Sequence, residues 1–267
     1  MLAGPVFNFL LAIVIFFVVY MYGLPNLLPV IGELSPDSAA ASAGLLKDDK
    51  ILTINGRRIS FWDEIRPLIK ESEGHDLAIQ VQRGSEEKIF AVKPKMSKAK
   101  NIFGEEESTY LIGISPAGRT VIERKNPLAA LVSAGEKTWE ISKLTVISVV
   151  KMLEGVLSPR TLGGPIFIAQ VAGDQVKEGI IPFVLFMAIL SINLGVINLF
   201  PIPVLDGGHI FFYLIEMATR REIPFKIKEW AQQIGFVVLL MLMLFVIMID
   251  IERLNIKPIN DVLKIFK

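Results

Sequence analysis

Residues Asn198–His209 read "NLFPIPVLDGGH", and they close a run from Gly179 to Leu205 that holds no Asp, Glu, Lys or Arg. Pro201 and Pro203 lack the backbone N–H that a helix interior needs, so they break the apolar helix before it. A broken helix at membrane depth is tolerated only where it is buried in protein or lines a wet cavity. Directly after the break come a carboxylate, Asp206, and two adjacent glycines. A carboxylate near hydrocarbon is costly unless something compensates it. Three compensations remain open: a metal cation, a basic partner, or headgroup water at a helix end. Asp-Gly-Gly is also ordinary turn chemistry, and Asp is a common helix cap.

Working outward, the chain of 267 residues is 52% hydrophobic with a mean hydropathy of +0.53. That is too apolar for an ordinary soluble protein and points to membrane spans. The first 32 residues carry no charged side chain, and Pro5–Tyr22 is long enough to cross a bilayer as a helix. A cleaved signal peptide would need a basic start and a small-residue cleavage site, which this segment lacks. Trp230–Ile249 forms a third apolar run. Three spanning helices are therefore expected. Net charge is +1, which gives no field to attract nucleic acid. The absence of Cys excludes disulfides, thiolate metal sites and a thiol nucleophile. With only His75 and His209 present, chemistry that needs several histidines together is nearly excluded within the chain.

Between the first two spans the composition turns mixed and polar. "DKILTING" (Asp49–Gly56) reads as a strand ending in an Asn-Gly turn. Phe61–Ser72 has helical spacing, with Phe61, Ile65, Leu68 and Ile69 on one face. "DLAIQVQRG" and "EKIFAVKP" read as a hairpin turning between Arg83 and Glu86. A small α+β domain over 25–97 fits. Gly135–Leu157 is apolar but interrupted by Lys143 and Lys151, which favours an amphipathic helix on the membrane surface over a span. "SPRTLGGPIFIAQVAG" reads as a Gly/Pro-broken connection. The short loop after the second span holds Arg220, Arg221, Lys226 and Lys228 against three Glu, so its side of the membrane is expected to be cytoplasmic. That puts the inserted domain outside and brings Asn8 and Asp206 to similar depth.

Four segments in order resemble the site-2 proteases, the intramembrane zinc metalloproteases, and most of all the bacterial branch that cleaves anti-sigma factors. The family pattern Asn-x-x-Pro-x-Pro-x-Leu-Asp-Gly is matched at Asn198, Pro201, Pro203, Leu205, Asp206 and Gly207. Gly-Pro-x-x-Asn is matched at Gly4, Pro5 and Asn8. Pro29–Ile59 resembles a PDZ domain, and "LGGPIFIAQVAG" resembles the segment preceding the family's late span. The resemblance implies a mainly α membrane protein with three transmembrane helices and an inserted α+β PDZ-like domain. Its parts are a span with the Gly-Pro motif (1–24), the PDZ-like domain (25–97), and an extracytoplasmic linker with a surface helix (98–178). A span ending in the Leu-Asp-Gly motif (179–206), a cytoplasmic loop (207–229), and a last span with its tail (230–267) follow.

The implied activity is zinc-dependent cleavage of single-span membrane proteins in a bacterial inner membrane. Asp206 would be the third zinc ligand, Asn198 with Pro201 and Pro203 would position substrate backbone, and Asn8, Gly4 and Pro5 would shape the site. The PDZ-like domain would filter access or bind a peptide. Lipid is the other expected partner, and nucleic acid is not.

The departure is the motif His-Glu-x-x-His, which supplies two zinc ligands and the general base in the family and which does not occur here. His209, three residues past Asp206, is read as a helix-end polar group. A chain shortened at its N-terminus, holding zinc weakly or not at all and inactive alone, is the expectation; a natural non-catalytic relative is the other reading. A membrane-tethered PDZ-like peptide-binding protein and a transporter fragment are the rival functions. The transporter reading is weakened because the broken-helix pattern has no second copy.

Overall fold

A computed structural model describes residues 2–254. It divides into two compact units, one of residues 1–21 and 126–267, and one of Tyr22–Lys125. In chain order the elements are α1 (Ala3–Tyr22), β1 (Leu24–Leu27), β2 (Ile31–Leu34), α2 (Ala39–Ser42), β3 (Lys50–Ile54), β4 (Arg57–Arg58), α3 (Ile65–Glu71), β5 (Leu77–Arg83) and β6 (Glu86–Val92). Then come β7 (Lys95–Lys100), β8 (Glu106–Leu111), β9 (Ile114–Pro116), β10 (Thr120–Glu123), α4 (Pro127–Leu153), α5 (Pro165–Glu178), α6 (Ile180–Asn198), α7 (Asp206–Thr219) and α8 (Phe225–Arg253).

The α+β unit is built on a four-stranded antiparallel sheet in the order β4-β3-β5-β6. The β3–β4 reversal uses Asn55 and Gly56, both at positive φ, as an Asn-Gly hairpin turn requires. Strand β5 alternates, burying Leu77, Ile79 and Val81 on one face. Those side chains meet Ile31, Leu45, Ile51, Ile54, Ile65, Ile69, Val92 and Ile112 in one core. A buried carboxylate, Asp49, is held by the Arg83 guanidinium at 2.7 Å and by the Leu46 N–H at 2.8 Å. Arg83 also donates to the Gly44 carbonyl and lies over the Phe90 ring. The unit runs past residue 97. β9 returns to pair with β2, and β10 pairs with β1, joining Leu24 to Glu123.

In the other unit, three helices among the described residues are long and apolar enough to cross a bilayer: Ala3–Tyr22, Ile180–Asn198 and Phe225–Arg253. At 1.5 Å per residue even the shortest approaches the ~30 Å hydrocarbon thickness. Their outward side chains, such as Val14, Leu194, Val238 and Met241, are exposed, as a lipid-facing surface demands. α1 and α6 pack through small residues. Ala12 and Ala188 are buried with Phe16, Ile192, Val196 and Ala134 of α4, and the Ser191 hydroxyl donates to the Asn8 carbonyl at 2.9 Å.

Three elements differ from the local sequence reading. The helix expected over 135–157 begins at Pro127, capped by the Asn126 side chain, and its Ala130, Ala134 and Thr138 are buried. Its Thr145 hydroxyl donates to the Asn193 side-chain oxygen at 2.7 Å, tying it to α6. In the expected Gly/Pro connection, Pro165–Glu178 is helical, because Pro165 sits at the first helical position, where a missing N–H costs nothing. The segment expected as a loop over 207–229 is mostly helix, α7 and the start of α8, separated only by residues 220–224. The expected tail beyond residue 254 lies outside the described residues.

Candidate functional site

The carboxylate at the centre of the opening sequence becomes the first residue of a helix. α6 ends at Asn198, and the chain passes through Leu199–Leu205 in short turns, with Ile202 N–H donating to Phe200 O and Leu205 N–H to Ile202 O. α7 starts at Asp206 with Leu205 as its N-cap residue and no side-chain cap hydrogen bond. Asp206 therefore does not cap its own helix, although the helix dipole favours its negative charge there.

The two glycines after it have a steric explanation. A Cβ on Gly207 would lie 2.3 Å from the Leu199 carbonyl oxygen, and one on Gly208 would lie 2.2 Å from the Ile202 carbonyl oxygen. The start of α7 is thus pressed onto the proline segment, backbone against backbone, at a separation only glycine permits. This contact fixes where Asp206 stands relative to Pro201 and Pro203.

Across from it lies α1. A Cβ built on Gly4 would be 2.9 Å from Asp206 Oδ2, so the carboxylate rests against the Gly4–Pro5 turn of helix. One turn further on, Asn8 lies beside Gly195, where an added Cβ would approach the Asn8 Cβ to 3.3 Å. Gly4, Pro5 and Asn8 from the first span thus meet Asp206 and the last turns of α6, although about 200 residues separate them in sequence. Pro5 is buried, while Asp206, Asn198 and Asn8 are half-buried. Among the described residues the Asp206 carboxylate makes no ion pair or hydrogen bond.

Neither histidine joins this group. His75 belongs to the α+β unit, with its Nδ1 2.8 Å from the Ser72 carbonyl. His209 faces α8, bounding a space with Val204, Gln232, Gln233 and Phe236. α7 and α8 are tied nearby by Lys228 and Glu216 at 2.7 Å. That contact and the Ile223 N–H hold the Glu216 carboxyl below its ordinary value. Among the described residues no three His, Cys, Asp or Glu side chains converge as a metal site would need. The residues present fit zinc only in part: one carboxylate is available where a catalytic zinc takes three protein ligands.

The residue that local reading missed is Asp250, just past the end of the third apolar run. It is 1% exposed and accepts from Gly164 N–H, Ile166 N–H and Phe167 N–H, each at 3.0 Å. It thereby caps α5, and a Cβ on Gly164 would fall 2.4 Å from its Oδ2. A buried Asp near the end of an apolar helix was the available signal.

These features define a membrane-embedded helical unit in which a proline-broken helix presents a carboxylate to the first span, with an α+β unit inserted after that span. The profile of Peptidase family M50 matches residues 1–242, and the chain belongs to that family, the site-2 proteases. It is 36% identical over 252 residues to a Campylobacter jejuni protein whose name assigns it to the zinc metalloproteases, covering 94% of this chain and 68% of that one. It is 34% identical over 234 residues to the regulator of sigma-E protease RseP of Escherichia coli, covering 86% of this chain and 51% of RseP. To the zinc metalloprotease RasP of Geobacillus kaustophilus it is 36% identical over 254 residues, 94% of this chain and 58% of RasP. The chain thus spans between about half and two thirds of the length of these relatives. Among solved structures, the PDZ domain of HtrA3 matches 25% of this chain at 25% identity and a TM-score of 0.22. A PDZ domain of an SdrC-like protein from Listeria monocytogenes matches 33% of it at 23% identity and a TM-score of 0.27.

Proposed function

We propose that this chain carries the proline-and-aspartate half of an intramembrane metalloendopeptidase site that cuts single-span membrane proteins of the anti-sigma-factor type. The observation that carries the reading is the half-buried Asp206 carboxylate, unpaired among the described residues and set against Gly4. A carboxylate at membrane depth with no partner of its own is suited to receive a cation. Asp206 would supply one zinc ligand. The two others and the general base have to come from a His-Glu-x-x-His helix outside this sequence, and the chain alone is expected to neither hold zinc tightly nor cut peptide bonds.

The roles of the other residues follow from their chemistry. The Asn198 side-chain amide, at the last turn of α6, offers a donor and an acceptor to an extended peptide edge. Pro201 and Pro203 keep the adjacent backbone out of helix, which leaves room for such an edge. Gly4 and Pro5 permit close approach of α1, and Asn8 adds a second amide. The α+β unit would act outside the membrane as a PDZ-like filter or peptide-binding module, and the protein would be a multi-pass component of a bacterial inner membrane with its basic 220–228 segment cytoplasmic.

A second reading, a non-catalytic membrane-tethered peptide-binding protein, is favoured by the lack of a converging donor set among the described residues. One experiment separates the two. The chain is joined or co-reconstituted with a helix bearing His-Glu-x-x-His, and zinc content and cleavage of a single-span substrate are measured. The proposal expects both to appear, and Asp206→Ala to remove both. Full zinc content and activity in Asp206→Ala would refute the ligand role. No zinc and no cleavage with the helix present would favour the binding protein.

A further inference from the structure

Strand β10 leaves one edge open. The Leu28 N–H donates to the Arg119 carbonyl at 2.8 Å, which sets the phase of the β1–β10 ribbon. Leu24, Asn26 and Leu28 therefore exchange hydrogen bonds with Glu123, Val121 and Arg119, and the pairs Pro25–Ile122 and Leu27–Thr120 fall between them. Pro25 fits there because a non-bonded pair needs no N–H from it. On the facing strand, the N–H and C=O groups of Thr120 and Ile122 point away from β1, and among the described residues no third strand, turn or side chain takes them. Val121 and Ile122 are 43% and 66% exposed, and the Glu123 carboxylate is engaged across the ribbon by the Asn26 amide at 2.6 Å. Other strands of this unit are guarded. β4 is Arg57–Arg58, β6 opens with Glu86, Glu87 and Lys88, and β1 has Pro25. Charge and proline at an edge stop foreign strands from pairing. The run Thr120-Val121-Ile122 has neither.

The position of this edge identifies its partner. Leu24, opposite Glu123, is two residues past Tyr22, the last residue of the apolar helix α1, and the Arg124 guanidinium donates to the Tyr22 carbonyl at 3.1 Å. The strand therefore ends beside the point where the chain leaves its first span. A second copy of β10 would offer only a four-residue strand, far below the ~1,200 Å² that a stable interface buries. A soluble peptide would gain the same few hydrogen bonds against the full entropy of association. A chain anchored in the same bilayer is held at high local concentration, so a short strand suffices. We propose that the outer edge of β10 takes an extended segment of a single-span membrane protein, just outside its span, as an added strand on the backbone groups of Thr120 and Ile122. That the partner is a single-span protein rests on the protease reading, whereas the pairing itself needs neither metal nor Asp206.

The chain has no Cys, so Val121→Cys supplies a single thiol at the edge. The full chain is reconstituted in phosphatidylcholine vesicles with a synthetic peptide, a Leu/Ala span followed by alternating Thr and Val. One Cys is placed at successive positions of the Thr/Val segment, and disulfide yield is measured. The yield should alternate with a two-residue period, as the side chains of an added strand do. Ile122→Pro deletes an outward N–H without touching a ribbon hydrogen bond, and should lower the peak yield about fivefold, the scale of one net hydrogen bond. Thr120→Pro makes the same deletion at the second position, and circular dichroism checks that each variant folds. Ile122→Thr keeps the backbone group and should retain the yield. Uniform yield along the peptide would mean that the two merely share a lipid surface, and it overturns the proposal, as does a peak unchanged in both folded proline variants. Equal yield from the same Thr/Val segment without its span, or preferential linking of two copies through residue 121, would assign the edge to a soluble peptide or to a dimer and overturn it too. Because the readout is binding without zinc or cleavage, its failure is distinct from failure of the protease reading.

Discussion

Replacing Asp250 with alanine should destabilise the membrane unit by an amount that its geometry sets. The carboxylate is buried and accepts three backbone N–H groups at 3.0 Å, from Gly164, Ile166 and Phe167. These are among the donors at the start of α5 that have no partner within their own helix. Hydrogen bonds to a charged group contribute about 1.5–3 kcal/mol each in water-soluble proteins, and an orphaned buried donor costs about 1–3 kcal/mol. Measured values in membrane proteins run lower, averaging ~0.6 kcal/mol for a side-chain bond. Some water would also enter the space left by the side chain. Three orphaned donors at about 1 kcal/mol each, between the soluble-protein and membrane-protein bond values, give an expected loss of about 3 kcal/mol for Asp250→Ala. Asp250→Asn keeps one acceptor oxygen and should lose about half of that. Unfolding of the full chain in detergent, followed by helical circular dichroism, reads the global effect. Amide hydrogen exchange at residues 164–167 reads the local one and should accelerate in Asp250→Ala. An Asp250→Ala protein that unfolds and exchanges like the parent would show that the carboxylate does not hold α5.

Three further outcomes follow from the same structure. Gly208→Ala places a Cβ 2.2 Å from the Ile202 carbonyl and should cost about 1–3 kcal/mol in thermal unfolding by overpacking, whereas Gly173→Ala, with open space around it inside α5, should be neutral or stabilising. Arg83→Ala leaves the fully buried Asp49 with only the Leu46 N–H and should destabilise the α+β unit by about 3 kcal/mol, seen as faster proteolysis within Tyr22–Lys125. The Glu216 carboxyl is held below its ordinary value of 4.5, first by the Lys228 hydrogen bond and then by the Ile223 N–H. A lowered folded value means that the stabilisation is full above 4.5 and is lost as pH falls through the folded value, so melting curves in acid should show this loss in the parent and lack it in Glu216→Gln.

Much of this architecture was legible one segment at a time. Apolar runs without charge announced α1, α6 and α8, because spanning a bilayer constrains length and composition locally. Asn55–Gly56 announced its hairpin because only residues that tolerate positive φ make that turn. Pro201 and Pro203 announced the break after α6 because neither can donate to the helix ladder. The helix α7 inside the segment between the last two spans was not legible for a related reason: two adjacent glycines look like turn chemistry until the close approach of another backbone is known. The α+β unit was cut short at 97 because β9 and β10 are specified by pairing with β2 and β1, nearly a hundred residues earlier.

The sequence by itself determined which segments prefer hydrocarbon, where helices must stop, and which few side chains could do chemistry. Those properties depend on each residue's own transfer energy and backbone restrictions. Only the tertiary structure decided that Asp206 opens α7 and rests against Gly4, that Gly207 and Gly208 are required by the Leu199 and Ile202 carbonyls, and that Asp250 caps α5. The Asp206–Gly4 and Asp250–α5 contacts join segments far apart in the chain, and the glycine contacts depend on how the turn after α6 folds back on the start of α7, so none follows from a local period.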